Sequence, residues 1–394
     1  MKLQKAENGI ENRKGFTLIE VVIILVVLSI LAAVAVPMAL RIFERTAEDT
    51  TREEMDNIKK ALLGDSRKLQ STFRNDFGYL GDIGCLPSIA LGGLDRLLTQ
   101  GSLPAWSFDN TKQAGAGWKG PYITGTPGED FKKDQLGNDY VYTPVAGACP
   151  LTATLASNGP DGLPSTADDI TLTITANETT ATVRGTVKDT AGVGLASIPV
   201  EFYSAASNGV LTTTTATTDA NGNYSFSSVP FGHRAVNANV TLAIVSGSVA
   251  VTGGNDNNVD FQLRNYSGSS VTVNSINVTC IAGVITDFDT VQFDNANVDP
   301  GGEQICGATH TLSGSGNLTF SANPTPPSSM RVVADSPDVQ LPDITIRGGG
   351  TTRQIEIDDF ENGNANVDMR NRTLTITFGL TVGGPVVFTF TTPP

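Results

Sequence analysis

The stretch KGFTLIEVVIILVVLSILAAVAVP, residues Lys14–Pro37, decides how the rest of the chain is read. A basic segment ends at Gly15. Phe16, Thr17, Leu18 and Ile19 follow, then one carboxylate, Glu20, and an almost unbroken apolar run to Val36. A helix of about 20 apolar residues spans a bilayer, and this run supplies them. A charge inside such a helix costs about 2.5–3.5 kcal/mol on insertion scales, so Glu20 is expected to have a partner. Two ordinary segments compete with this reading. A secretory signal has its small-residue cleavage site after the apolar core; here the glycine precedes the core. A plain membrane anchor needs neither that glycine nor a buried glutamate.

The order basic segment, Gly15, Phe16, Glu20, apolar helix resembles the type IV pilin and pseudopilin signature. The resemblance implies that a prepilin peptidase cuts after Gly15 and that Phe16 is N-methylated. It implies that the retained helix holds the precursor in the inner membrane and later packs with other pilin or pseudopilin subunits in a filament. Glu20 would serve assembly by pairing with the amino terminus of Phe16. Lys2, Lys5, Arg13 and Lys14 outnumber Glu7 and Glu11 in the leader, and such a basic flank stays in the cytoplasm. The expected topology is a single pass with the C-terminus outside, followed by a periplasmic pseudopilus or an extracellular pilus.

Beyond Pro37, apolar residues recur at intervals near three and four: Leu40, Ile42, Phe43, Ala47, Met55, Ile58, Ala61, Leu62 and Leu69. That period predicts one helix over 16–70, with 16–37 in the membrane and the remainder on a globular domain. Pro37 removes a backbone hydrogen bond inside this helix. It is either a fixed kink or, as its frequency in the resembled family favours, a segment that extends during assembly.

Residues 71–176 are expected to form a small antiparallel β headgroup. GDIGCLPSIALGGLDRLL (81–98), GWKGPYI (117–123) and KDQLGNDYVYTP (133–144) resemble the major pseudopilin of type II secretion systems. In its D-x-W-G-x-P-Y stretch this chain has Leu136 in place of tryptophan and Asp139 in place of proline. The next stretch, SNGPDGLPSTADDITL (157–172), carries Asp161, Asp168 and Asp169 around a Gly- and Pro-rich turn. Calcium takes six to eight oxygen ligands, and a loop with carboxylates at both ends can supply several. The resemblance assigns calcium to this loop through the three aspartates, with Ser157 and the Leu163 carbonyl completing the shell. The bland alternative is a solvated acidic turn.

The chain has 394 residues and a net charge of -14. An acidic exterior without a Lys/Arg block argues against nucleic acid as a partner. Outside the cytoplasm Cys85, Cys149, Cys280 and Cys306 can oxidise. Four cysteines allow three pairings; Cys85 with Cys149 and Cys280 with Cys306 keeps each bond within one segment.

After about residue 176 charge density falls while Thr, Val, Ser, Asn and Gly rise. VRGTVKDTAGVGLASIPVEFYS and TTTTATTDANGNYSFSSVPFG resemble the carboxypeptidase regulatory-like domain, an accessory β-sandwich, assigned to 177–263. Alternating strands such as SVTVNSINVTC and TLTITFGL predict a second sandwich over 264–394. The fold class expected is therefore an α+β pilin module, preceded by a 1–15 leader, followed by two all-β Ig-like sandwich domains separable from it. His233 and His310 are the only histidines, neither in a nucleophile context, and no P-loop, H-E-x-x-H or C-x-x-C motif occurs. The reading is a non-enzymatic subunit, minor or at the tip, of a type IV filament or type II secretion pseudopilus. The alternative is a pilus-borne adhesin whose sandwiches bind a surface, polymer or protein.

Overall fold

A computed structural model describes residues 17–70, 73–124, 131–206, 208–245, 247–314, 318–324, 328–346 and 349–394. The chain divides into two compact units. The first holds the described residues through Asp56, the segment ending at Val141, and Leu155–Leu172. The second holds residues from Asn57 onward, Tyr142–Thr154 and Thr173–Pro394.

Helix α1 runs from Leu18 to Leu63, 46 residues with Pro37 inside it, or about 70 Å at 1.5 Å per residue. Residues 18–43 of it are bare: Leu18 is 83 % exposed, Ile30 62 % and Phe43 71 %. Farther along, Met55, Ile58 and Leu62, spaced three and four apart, are buried. The helix stops short of the predicted residue 70. Gly64 takes φ +81° and its N–H returns to the Lys60 carbonyl at 2.7 Å, the usual left-handed termination. A Cβ at this position would stand 2.3 Å from the Asp76 carbonyl oxygen. Leu69, read as part of the helical stripe, instead belongs to a two-residue strand, β1 (Leu69–Gln70), paired with β2 (Phe73–Arg74), and is exposed.

The headgroup contributes α2 (Gly78–Ile83), the hairpin β3 (Ser107–Asp109) with β4 (Ala114–Ala116), and a three-stranded sheet of β5 (Val141–Pro144), β6 (Ala153–Ser157) and β7 (Ile170–Ile174). It is not the separate domain expected over 71–176. Within the second unit, α2 lies directly on the first sandwich: the Gly209 N–H donates to the Ile83 carbonyl at 2.9 Å. A Cβ on Gly84 would sit 2.1 Å from the Ala205 carbonyl oxygen, so the two backbones touch there.

The first sandwich uses β8 (Thr180–Lys188), β9 (Pro199–Ala206), β10 (Val210–Thr217), β11 (Asn223–Pro230) and β12 (Gly232–Ala238). The turns read from the sequence close as Asp189 N–H to the Val193 carbonyl and Asp219 N–H to the Asn223 carbonyl, both 2.9 Å. Phe202 of β9 meets Phe226 of β11 with ring centroids 5.0 Å apart, joining the two sheets. One sheet has the order β10-β9-β12-β23, where β23 is Met330–Ala334. In the other, β8 pairs β11 on one side. On its other side it takes β24 (Asp338–Gln340) and β25 (Ile344–Thr345) in parallel.

Strand pairing crosses the expected limit at 263/264. Strands from 330–345 complete the first sandwich. Conversely β13 (Leu242–Ile244), β14 (Ala250–Thr252) and β15 (Asn258–Asn265), expected in the first sandwich, build the second. There β15 pairs β26 (Thr352–Asp358), which pairs β18 (Thr290–Phe293). The facing sheet centres on β16 (Val271–Thr279), β27 (Thr373–Leu380) and β28 (Val386–Thr391). Short strands complete the set: β17 (Asp287–Phe288) pairs β20 (Gln304–Ile305), β19 (Ala296–Asn297) pairs β18, and β21 (Thr309–Thr311) and β22 (Thr319–Phe320) pair β16. Every second residue of the long strands points inward: Val259, Phe261, Ile355, Ile357, Val291 and Phe293 meet Val273, Ile276, Leu374, Ile376, Phe378 and Phe388 in one core. Period two was legible; which strands shared a core was not.

Candidate functional site: the acidic loop and its supporting turn

The loop grows from a turn at Asp134. The Asp134 carboxylate is buried and accepts the N–H groups of Leu136 at 3.0 Å and Asn138 at 2.8 Å. Its other oxygen accepts the Ser157 hydroxyl at 2.6 Å. Asn138 then donates its side-chain amide to the Gly159 carbonyl at 2.8 Å, which fixes the entrance of the 157–172 loop. Tyr140, the last residue of the turn, donates its hydroxyl to Glu54 at 3.0 Å, and the Gln135 side chain also reaches Glu54. The first unit is thus stitched from helix to turn to loop by side chains.

In the loop, Thr166 occupies the centre. Its Oγ1 lies 2.8 Å from Asp168 Oδ1, 3.1 Å from Asp169 Oδ1, 3.4 Å from Asp161 Oδ1 and 3.1 Å from the Leu163 carbonyl. Backbone donors hold the carboxylates in place: Asp161 N–H to Asp168 at 3.2 Å, Leu163 N–H to Asp161 at 2.8 Å, and Ser165 N–H to Asp169 at 2.7 Å. The Thr166 hydroxyl and the Asp161 N–H hold the Asp168 carboxyl below its ordinary range, since both bonds favour the charged form.

A hydroxyl has one proton and so satisfies one of the four oxygens around it. The other three are acceptors facing a point with no hydrogen to share. Oxygen-only donors of this kind match a hard divalent cation. Among the described residues, however, no three Asp, Glu, His or Cys side chains stand as a ready-made metal cage; Thr166 holds the converging oxygens instead. Ser157 is engaged elsewhere, because it donates to Asp134 and accepts from the Gly159 N–H at 3.3 Å. The turn therefore claims the hydroxyl that was expected in a calcium shell. Asp134 and Thr166 were not singled out as site residues in the sequence. Asp134 opens the D-x-W-G-x-P-Y stretch, and Thr166 is one of many threonines.

The remaining expected residues fall as follows. Gly15 and Phe16 lie outside the described residues. Glu20 stands in the first turn of α1, where its N–H donates to the Thr17 carbonyl at 3.1 Å, and Pro37 lies within the same continuous helix. Cys85 is bonded to Cys149 and Cys280 to Cys306, with Cα separations of 5.0 and 5.6 Å. His233 and His310 pack edge-on against Phe77 and Phe288, at 5.2 and 5.8 Å.

Residues 11–36 match the prokaryotic N-terminal methylation motif. That N-terminal segment is pilin-like. Residues 182–264 match the carboxypeptidase regulatory-like domain, so the chain carries a β-sandwich module as well. No curated protein matches it. Among solved structures it is similar to the major pilin SpaD of Corynebacterium diphtheriae, with 11 % identity over 54 % of this chain and 64 % of that one, at a TM-score of 0.20. The chain thus spans just under two thirds of that pilin. The major pilin BcpA of Bacillus cereus gives 11 % identity, 54 % and 69 % coverage and a TM-score of 0.15. A candidate carbohydrate binding protein of Bacteroides uniformis gives 11 %, 54 % and 98 %, and 0.24.

Proposed function

We propose that the chain is a minor or tip subunit of a bacterial type IV filament or type II secretion pseudopilus. The methylation motif over 11–36, continuous with a 46-residue helix whose apolar first half is exposed, carries this reading. Such a surface is stable only in lipid or against copies of itself. Among the described residues α1 is long and apolar enough to cross a membrane. The precursor waits in the inner membrane, prepilin peptidase cuts between Gly15 and Phe16, and Glu20 pairs with the new amino terminus in the helical core, where an unpaired charge is costly. A bulky β-rich half on every subunit would crowd a filament, which favours a minor or terminal position. Mass spectrometry of sheared filaments tests the reading. It expects an N-methylated Phe16 terminus and a low ratio to a major pilin; a terminus elsewhere refutes it.

We further infer that the acidic loop holds one calcium ion through Asp161, Asp168, Asp169 and the Leu163 carbonyl. The support is the convergence of four oxygens on one hydroxyl. The ion would act structurally, by relieving the repulsion of three adjacent carboxylates.

A further inference from the structure

Within the second unit, the sheet of β16, β27 and β28 ends at β28, whose strand partner among the described residues is β27 alone. Every other residue of an edge strand turns its N–H and C=O away from its neighbour, so β28 offers a row of unpaired groups. Such edges are ordinarily blunted by a lysine, a proline or a bulge. Here Val386–Thr391 pairs β27 without a break in register, and residues 373–394 carry no charged side chain. Pro385 and Pro393 stand outside the strand and leave its six residues free to pair. Its far end is pinned: the Thr392 N–H donates to the Arg372 carbonyl at 2.8 Å, and the Thr392 hydroxyl accepts the Arg372 N–H at 2.9 Å.

The edge is open on its inner side as well. Val386, Phe388 and Phe390 alternate toward the core; Phe388 is buried, whereas Val386 and Phe390 are half-buried. The Phe390 ring lies 5.7 Å from that of Phe261 on β15. Beyond β15 the facing sheet ends in β13 and β14, whose Ile244 and Val251 are half-buried against the same core. The two sheet edges thus leave an apolar strip partly uncovered. Strand β10, the other uncharged edge, differs. Its inward positions, opposite Val200, Phe202 and Ser204, are Ala216, Thr214 and Thr212, which water serves well.

A strand added here must bring an apolar residue at every second position and no charge. β28 itself has that pattern. Charge decides between a copy and a foreign strand. With 40 acidic and 26 basic residues, two copies repel over much of their surface, and like charges opposite one another weaken a strand pair. The neutral stretch 373–394 is where two copies meet without that cost. A foreign strand is selected by complementary charge, which this edge does not offer. We propose that a second copy of the chain covers the edge, β28 pairing antiparallel with its counterpart about a two-fold axis, so that the same patch serves both copies. Directly opposed residues share a face of the sheet. With five of the six residues paired, the axis passes through Phe388, setting Val387 against Thr389, or through Thr389, setting Thr389 against itself. The proposal does not depend on the filament role or on the calcium loop.

Sedimentation of the full chain in a density-matched detergent tests it, together with an introduced cysteine. Wild type should form a dimer that dissociates on dilution. Val387→Lys with Thr389→Lys, both at exposed outer-face positions, sets like charges opposite one another in either register. It should raise the concentration at half-dimer at least tenfold and leave contacts made by α1 as they were. The four native cysteines are bonded to each other, so an added cysteine is the sole free thiol. Under mild oxidation Thr389→Cys should cross-link to itself or, in a mixture, to Val387→Cys. The faster of the two should exceed, at least tenfold, the rate of Val382→Cys, which precedes β28 and is 85 % exposed. Wild type that stays monomeric at every concentration leaves the edge to a foreign strand and overturns the self-pairing. So does a dimer equally tight in the lysine variant, or cross-linking at 389 no faster than at 382. A lysine variant that fails to fold leaves the decision to the cysteine rates, each measured on one exposed substitution.

Discussion

The guanidinium of Arg234, on β12, donates to the carbonyl of Gly81, on α2, at 2.9 Å across 153 positions of sequence. It makes three further bonds to main-chain carbonyls and is the largest side chain fully buried among the described residues. Burial brings its pKa down to about 10, with Asp82 acting the other way, so it remains charged at neutral pH. It ties the headgroup helix to the sandwich through the main chain. Arg234→Met removes every donor and leaves several buried carbonyls unpaired, at about 1–3 kcal/mol each. The expected result is a loss of about 3 kcal/mol or more, seen as a large drop in melting temperature. Arg234→Lys, with one charged head, should recover only part. A melting temperature unchanged in Arg234→Met would show that the link is not structural.

How much of this was legible differs by level. The helix announced itself through the apolar run to Val36 and the period of Met55, Ile58 and Leu62, because those signals are local. Its end at Gly64 rests on a close approach to Asp76, which no helical period contains. The strands of both sandwiches were legible from alternation in stretches such as TLTITFGL. Their partners were not: Val339 lies beside Val183 in a parallel pair, and no turn chemistry links residues so far apart. In the acidic loop the three aspartates stood out, whereas Thr166 gained meaning only once the chain had folded three oxygens and a carbonyl around it.

Glu356 makes the second sandwich sensitive to pH. Burial, helped by a hydrogen bond and the charge of Asp358 and by the charge of Asp260, pushes it up to about 7. Asn258 lies on the same face and acts weakly the other way. A carboxyl raised in the folded state binds its proton more tightly there than in the unfolded chain. Its stabilising contribution is complete below its ordinary value of 4.5 and is lost as pH rises through about 7. Asp82, raised to about 6 by burial, acts in the same direction. His233, lowered by burial, opposes them. The clean readout is therefore a difference: Glu356→Gln should gain on wild type as pH goes from 5 to 8. An equal difference at both ends would remove Glu356 as the source.

The acidic loop should respond to calcium through its carboxylates and to Thr166 without calcium. A ligand that binds only the folded form stabilises by about 2.7 kcal/mol at one hundred times its Kd. Wild type should melt higher in calcium than in chelator, and Asp168→Ala should abolish that shift. Thr166→Val removes the hydroxyl at the centre of the oxygens, so it should lower stability in chelator and keep the calcium shift. Superimposable wild-type melting curves in calcium and chelator would leave the loop a solvated turn.

Truncation tests the domain limits. The sequence suggests that the β-rich half can be cut from the pilin module beyond about residue 176 and leave folded pieces, with a boundary between its two sandwiches at 263/264. The structure sets backbone against backbone at Gly84 and Ala205 and buries Arg234 under Gly81. It also completes the first sandwich with β23, β24 and β25. A chain ending at Ala176 should therefore lose its folded headgroup, with the Cys85–Cys149 bond as its remaining tie. A fragment of 177–263 should fare no better: it leaves one side of β8 unpaired and exposes Val259, Phe261 and Leu263, whose partners lie in β16, β26 and β27. The fragment 177–394 keeps both sandwich cores and should melt cooperatively. It should melt below the full chain, because the surface that receives α2 is bare. Limited proteolysis and calorimetry on the three pieces decide between the two maps. A cooperative melt from 177–263 alone would restore the boundary at 263 and make the recruitment of β23–β25 an accessory contact.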